Sequence, residues 1–267
     1  MRKVIDLALA VGFAACTTLA QLSAHACSNI FINRGNYHIE GRNMDLALNI
    51  GHGDVFRFVG QENTTDVIID ADKIPTALLA TWTNRYGFWG RNADHTPILV
   101  DGMNTEGLSF AIQTLSGPTK YPRYLNSDRR QVLSSYEIGN FVLGLAKNVK
   151  EALAHLNKHQ IVGAAMTAKV AYGPNQNADG IYITDIPIHF VLRDREGQSA
   201  VIEFINGKMV IHPNAGNVMT NEPPYPQQLL SSQKYLSAVR SIKNNSLLIG
   251  MPGSNSSPDR FARGEIL

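Results

Sequence analysis

The chain has 267 residues, 44% hydrophobic and 17% charged, an ordinary globular balance that suits one large domain or two small ones. Its formal net charge of +2 is too small, and its Lys and Arg too scattered, to argue for a nucleic-acid or anionic-membrane partner. Aromatic residues at 8% and 22 glycines fit a strand-rich fold with many turns.

The first 26 residues read as a signal peptide. Arg2 and Lys3 form a basic start, an apolar stretch runs over about 4–22, and Ala24-His25-Ala26 is an A-x-A cleavage site directly before Cys27. This predicts a periplasmic or secreted protein whose single domain covers 27–267, with no membrane span. Two alternatives stand beside it. A membrane anchor is disfavoured by Asp6 and by the small, polar cluster Cys16-Thr17-Thr18 within the apolar run. A lipoprotein would carry its lipid on Cys27, but Ala24 and His25 are poor neighbours for that chemistry.

Cleavage after Ala26 discards Cys16, one of the two cysteines, and leaves Cys27 as a lone thiol that cannot form an internal disulfide. It also creates a free α-amine on the residue that carries the thiol. Amine and thiol have ordinary pKa values of roughly 7.7–8.0 and roughly 8.5. They are matched for proton transfer near neutrality, so the amine can act as general base for its own side chain. One extra residue would turn the amine into an amide and abolish the base. The bland alternative is an incidental cysteine beside a cleavage site.

The segment Cys27–Asn33, a turn at Arg34-Gly35-Asn36 and the run Tyr37–Asp45 predict a β-hairpin. The hairpin would return Arg42 and Asp45 alongside Cys27. A guanidinium there favours thiolate, and a carboxylate can orient the α-amine. A surface Arg–Asp pair is the alternative, worth little.

Farther along, strands are expected over 55–59, 67–69, 77–82, 98–100 and 108–114. Apolar spacings of three and four predict helices over 136–146 and 149–156, the second capped by Asn148. Strands follow over 188–193, 200–205 and 209–212. A helix over 225–242 tolerates Pro223, Pro224 and Pro226 at or before its first turn. Arg260-Phe261-Ala262-Arg263 starts a last helix. Strands, helices, then strands fit a layered α+β domain.

Weaker signals carry little. Asp70-Ala71-Asp72 begins like a calcium loop but lacks the Gly and Glu that must follow. The eight histidines show no ligand spacing, so no metal or cofactor is expected. His189 lies in an apolar strand and reads as a packed core residue. Asn63-Thr64-Thr65 is a glycosylation sequon of no meaning in a bacterium, and Gly250-Met251-Pro252-Gly253 is a turn.

Cys27 followed by Gly41-Arg42-Asn43-Met44-Asp45 resembles the choloylglycine hydrolase and penicillin V acylase family of N-terminal-nucleophile hydrolases. Asp101-Gly102-Met103-Asn104-Thr105-Glu106-Gly107-Leu108, Ser199–Phe204 with Asn206-Gly207-Lys208, Thr220-Asn221-Glu222-Pro223 and Pro258-Asp259-Arg260-Phe261 are similar to family segments in the same order. The resemblance implies a four-layer αββα sandwich and hydrolysis of linear amides through a thioester on Cys27. It implies that Arg42 and Asp45 tune and orient the nucleophile, that Asn221 and the backbone N–H of Thr114 hold the oxyanion, and that Arg260 braces the site. Relatives often carry Asn, Tyr or Trp where Thr114 stands; a backbone donor survives that change.

Apolar candidates for an acyl pocket are Leu46, Leu48, Trp82, Tyr86, Phe88 and Trp89, with core packing the alternative for each aromatic. The pattern is closer to the exported Gram-negative, penicillin-V-acylase-like branch, with N-acyl amides such as phenoxyacetyl β-lactams or N-acyl homoserine lactones as substrates, than to bile salt hydrolases. Family members continue for several tens of residues beyond the last helix. The resemblance therefore implies a domain truncated, and a sandwich incomplete, at the C-terminal end, with an unpaired sheet edge, exposed apolar surface and low stability. Rival expectations are an inactive truncated relative acting as a binding protein, and a lipid-anchored envelope protein. Homo-oligomers, often tetramers, are implied by the family.

Overall fold

The computed structural model describes residues 27–35, 37–44, 52–65, 74–93, 98–167, 182–241 and 252–266. It opens with β1 (Ser28–Arg34) and β2 (Tyr37–Asn43), paired antiparallel from Ser28↔Asn43 to Arg34↔Tyr37. Gly35 turns the chain at φ 61°, a left-handed conformation that suits a residue without Cβ. The hairpin expected from the sequence is present. Asp45, Leu46 and Leu48, just after it, lie outside the described residues, as do the strand expected over 67–69, the Asp70–Asp72 segment and Gly250.

Next come β3 (His52–Arg57), β4 (Glu62–Thr64), β5 (Thr81–Thr83), β6 (Phe88–Ala93), β7 (Leu99–Asn104), β8 (Ser109–Thr114) and β9 (Val132–Ser134). Two helices follow, α1 (Ile138–Leu145) and α2 (Val149–Asn157), then β10 (Gln160–Val162), β11 (Ala165–Thr167) and β12 (Tyr182–Thr184). The last part holds β13 (Ile188–Arg193), β14 (Ser199–Ile205), β15 (Lys208–Pro213), β16 (Val218–Met219), α3 (Tyr225–Ser241) and α4 (Ser257–Ile266). Asn148 caps α2 as its spacing predicts, its side chain accepting the Glu151 N–H at 2.9 Å. The strand expected over 77–82 is instead a 3-10 turn at Thr76–Leu78 before β5. Its apolar run does not alternate, and Leu78 and Leu79 pack with Ile74, Val132 and Val162 in a small separate cluster.

Among the described residues the main sheet has seven strands in the order β15-β14-β13-β8-β7-β6-β3, antiparallel throughout. One face carries Phe88, Phe110, Ile112, Phe190, Leu192 and Phe204, which pack with Phe141, Val142 and Leu143 of α1. The closeness of that packing shows at Gly139, where a Cβ would sit 2.6 Å from the Phe110 ring. The other face meets the three-stranded sheet β16-β1-β2. Ala111, Val191 and Val201 pack there with Met219, Tyr225 and Phe261. Outside the small sheet, α4 lies on β16 and β1, with α3 beside it. Helices, sheet, sheet and helices stack as the four-layer αββα sandwich that the resemblance implies.

Alternation along β1 sorts its side chains. Asn29 and Phe31 are buried toward the main sheet, while Ile30 and Ile32 face outward, half-exposed beside α4. Gly264 lets α4 approach, since a Cβ there would sit 2.7 Å from Val218 Cγ2. Gly264→Ala gains about 1 kcal/mol of helix propensity, but crowding a β-branched side chain costs about 1–3 kcal/mol. The crowding wins, and a thermal melt is expected to fall by roughly 2–6 °C; an unchanged or higher melting temperature would show that α4 does not pack so closely.

Among the described residues the small sheet ends at β2. Phe56, Trp89 and Met103, cross-strand neighbours on β3, β6 and β7, form an apolar row 63%, 44% and 43% exposed.

Candidate active site

Cys27 immediately precedes β1 and is buried, 1% exposed. The β1–β2 register sets Arg42 opposite Asn29, on the face turned to the main sheet. Arg42 is hydrogen-bonded to the Cys27 side chain. Its Nη1 also donates to the Val100 carbonyl at 2.8 Å and to Asp101 Oδ2 at 3.2 Å. Burial pushes the guanidinium down from its usual range, against the opposing pull of Asp101 and Cys27. Burial likewise raises the Asp101 carboxyl, with Arg42 and Arg91 opposing. Asp101 thus holds the arginine that faces the thiol. Sequence reading passed over this role, although the residue opens a segment singled out for its resemblance. The glycines in this region are structural: a Cβ on Gly102 would meet the Trp89 carbonyl at 2.7 Å, and one on Gly90 the Asp101 carbonyl at 2.4 Å.

On the other side of Cys27, Arg260 reaches in from α4. Its Nη2 donates to the Cys27 carbonyl at 3.0 Å and to Asn221 Oδ1 at 2.7 Å, and its Nε to Ser28 Oγ at 3.2 Å. Because a guanidinium only donates, Asn221 must offer it the oxygen, and Nδ2 is turned the other way. There Nδ2 donates to Thr114 Oγ1 at 2.7 Å and to the Thr114 carbonyl at 3.2 Å. Thr114 ends β8. The Leu115 N–H bonds to the Pro187 carbonyl at 2.8 Å, so the adjoining Thr114–Ile188 pair is non-hydrogen-bonded and the Thr114 N–H points away from β13. β7 pairs with β8 only at Ser109–Ala111, short of that N–H.

Cys27, Arg42, Thr114, Asn221 and Arg260 therefore lie together, linked by these bonds, while Asp45 lies outside the described residues. The aromatic candidates divide. Trp89 lines a cavity of about 260 Å³ together with Arg42, Asp101 and Met103. Its neighbour Phe88 points to the opposite face of β6 and is buried in the α1 core. Trp82 packs edge-on against Phe141 of α1, with ring centroids 5.2 Å apart, and is core as well. Tyr86 lies under the Arg85 guanidinium, and its N–H is bonded to the Gly144 carbonyl of α1 at 3.0 Å. The strand period of two thus assigns Phe88, and packing on α1 assigns Trp82, to the face away from Cys27, while Tyr86 is tied to α1 through its main chain.

Beneath Asn221 lies a polar cluster that sequence reading missed, having taken His189 for an ordinary core residue. His189 is fully buried, with Nδ1 3.2 Å from Glu203 Oε1 and Nε2 2.9 Å from the Thr220 carbonyl. Glu203 also accepts from His212 Nε2 at 3.1 Å and from the Tyr225 N–H at 2.7 Å. Burial alone would raise the Glu203 carboxyl, but hydrogen bonds from His189, His212 and Tyr225 win and lower it from an ordinary 4.5 to about 2. A carboxyl depressed on folding contributes stability above its unfolded value and loses it as pH falls through the folded one. Denaturant titrations are expected to show about 3 kcal/mol lost between roughly pH 4.5 and 2 from this group. Glu203→Gln should flatten that part of the curve; an unchanged slope would remove Glu203 as its source.

Among the described residues no helix is long and apolar enough to cross a membrane, and no group of three His, Cys, Asp or Glu could hold a metal ion.

The four-layer sandwich is that of the N-terminal-nucleophile hydrolase fold. Residues 27–266 match the linear amide C–N hydrolases, choloylglycine hydrolase family, and the chain belongs to it. Penicillin V acylase of Pectobacterium atrosepticum is 31% identical over 189 residues, 68% of this chain and 45% of its own length. A bile salt hydrolase/transferase of Lactiplantibacillus plantarum is 25% identical over 196 residues, 67% of this chain and 56% of its own. Penicillin V acylase from Agrobacterium tumefaciens superposes with a TM-score of 0.66 at 25% identity, over 89% of this chain and 63% of that one. A mutant conjugated bile acid hydrolase from Clostridium perfringens shares the fold, with a TM-score of 0.68 at 20% identity over 89% and 70%. The chain spans about half the length of the first curated relatives it matches.

Proposed function

We propose that the mature protein hydrolyses linear N-acyl amides with apolar acyl groups, using Cys27 as an N-terminal nucleophile after cleavage behind Ala26. The observation that carries this reading is that Arg42 and Arg260 both bond Cys27, and Arg260 links it to Asn221 and through that to Thr114, four residues from separate segments around a cysteine directly after Ala24-His25-Ala26.

The Cys27 α-amine takes the thiol proton, and Arg42 favours the resulting thiolate. Sulfur attacks the amide carbonyl, whose oxygen becomes an anion held by the Thr114 N–H and by Asn221 Nδ2, which gives up its longer, 3.2 Å bond to the Thr114 carbonyl to do so. The α-ammonium gives its proton to the departing nitrogen, the C–N bond breaks, and a thioester remains. Water, deprotonated by the same amine, attacks the thioester; the C–S bond breaks, and the acid leaves as the thiol is restored. Asp45 orients the amine. Arg260 sets the spacing between the Cys27 carbonyl and Asn221, and Trp89 borders the acyl group; Leu46 is carried over from the sequence as a further acyl-pocket residue.

Within the family we assign the chain to the exported, penicillin-V-acylase-like branch. The higher identity to a penicillin V acylase than to a bile salt hydrolase, over similar spans, supports this, as does the signal-like leader. Periplasmic or secreted location and a homo-oligomeric state belong to the same proposal.

Mature protein beginning at Cys27, assayed by mass spectrometry of released acid, tests the reading. Phenoxyacetyl β-lactams and N-acyl homoserine lactones are expected to be cleaved faster than conjugated bile salts. Faster cleavage of the bile salts would overturn the branch assignment, and no cleavage of any linear amide would overturn the activity.

A further inference from the structure

Asn221 does not stand on a rigid element. It lies between β16, which ends at Met219, and α3, which begins at Tyr225. Such a connection keeps a side chain in place only if the backbone on both sides is tied down, and an oxyanion donor must hold to within about 0.5 Å. The ties come from the main sheet. On one side, the Thr220 carbonyl is gripped by His189 Nε2 at 2.9 Å; a carbonyl only accepts, so Nε2 carries a proton. On the other, the Tyr225 N–H is gripped by Glu203 Oε1 at 2.7 Å. The two grips are one unit, because the same Glu203 oxygen faces His189 Nδ1 at 3.2 Å. The second Glu203 oxygen is occupied by His212. Glu203 and His189 are both essentially buried, and neither takes part in the proposed chemistry. An apolar pair would fill this space without the desolvation of a buried carboxylate, so the polar pair calls for another explanation.

We infer that Glu203, acting through His189 and the Tyr225 N–H, is a positioning residue that fixes the Thr220–Tyr225 segment and so aims the Asn221 amide at the substrate oxygen. This rests on the hydrolase reading above. Gln228 adds to the clamp, its Nε2 donating to the carbonyls of Asn221 at 2.5 Å and Pro223 at 2.6 Å. It lies on α3, however, and so moves with the segment it binds. Glu203 and His189 lie on neighbouring strands of the seven-stranded sheet and tie the segment to the layer that carries Thr114.

A double-mutant cycle separates this role from general stabilisation. The probe is penicillin V, with rates normalised to titratable Cys27 thiol. Glu203→Gln is expected to lower kcat by about ten- to a hundredfold, with KM within about threefold. In an Asn221→Ala background, where nothing is left to aim, the same change should cost less than about twofold in kcat. An unchanged kcat for Glu203→Gln, or an equal loss in both backgrounds, would overturn the inference. If Glu203→Gln does not fold, Glu203→Asp, which keeps the charge but shortens the reach, runs the same cycle with the same two outcomes. A normal kcat for Asn221→Ala alone would overturn the oxyanion reading itself.

Discussion

Cys27→Ala is expected to lose turnover by more than about 10⁴-fold while the protein stays folded. The substitution removes the only sulfur nucleophile of the mature chain but keeps its α-amine, so the general base is intact and has nothing to activate. The fold has little reason to fail. Cys27 lies ahead of β1 rather than within it, and the Arg260 grip is on its main-chain carbonyl, which alanine retains. The buried Arg42 loses its bond to the thiol but keeps Asp101. Steady-state kinetics together with a melting curve checks both halves. Activity near wild type would show that sulfur is not the attacking atom, whereas loss of the melting transition would show that the thiol is structural.

The second large effect is expected at Asn221. Truncation to Ala removes the side-chain oxyanion donor and should cost roughly 10²–10³-fold in kcat, about 3–4 kcal/mol of barrier. KM should change little, since the interaction strengthens only as the carbonyl oxygen becomes an anion. The Thr114 N–H, a main-chain donor, would remain and support residual turnover. Asn221→Asp is the sharper variant. It preserves shape and places a carboxylate beside Arg260 that still satisfies the guanidinium and can accept from the Thr114 hydroxyl, but it can no longer donate to the substrate or to the Thr114 carbonyl. An activity loss as large as that of Ala would assign the effect to the lost donor; full activity in either variant would remove Asn221 from the oxyanion site.

The sequence exposed some parts of this architecture more than others. The β1–β2 hairpin was visible because Gly35 lies between two alternating runs, and its register then delivered Arg42 to Cys27 without further help. The start of α2 was visible because an asparagine with the right periodicity behind it makes a cap. Trp89 and Phe88 show what was hidden. Both are large aromatics in one segment, but β6 was not anticipated as a strand, and without it nothing says which of the two faces the thiol. Glu203 was hidden for a different reason. It lies in the run Ser199–Ile205, which reads as a buried strand, and its partners His189, His212 and Tyr225 come from three other segments. Only tertiary pairing tells a satisfied buried carboxylate from an exposed one. The pairing of Arg42 with Asp101 is equally nonlocal.

The central requirement is that one residue supply both an amino group and a sulfur. Two preparations differing only at the front end test it most directly: one beginning at Cys27, the other with a single alanine ahead of it. Both keep the thiol, Arg42 and Asn221, and both should react with a thiol reagent. The trimmed form is expected to hydrolyse the acyl amide, and the extended form to fall by more than about 10²-fold, because its nitrogen is an amide and cannot take a proton. Equal rates from the two would contradict the account.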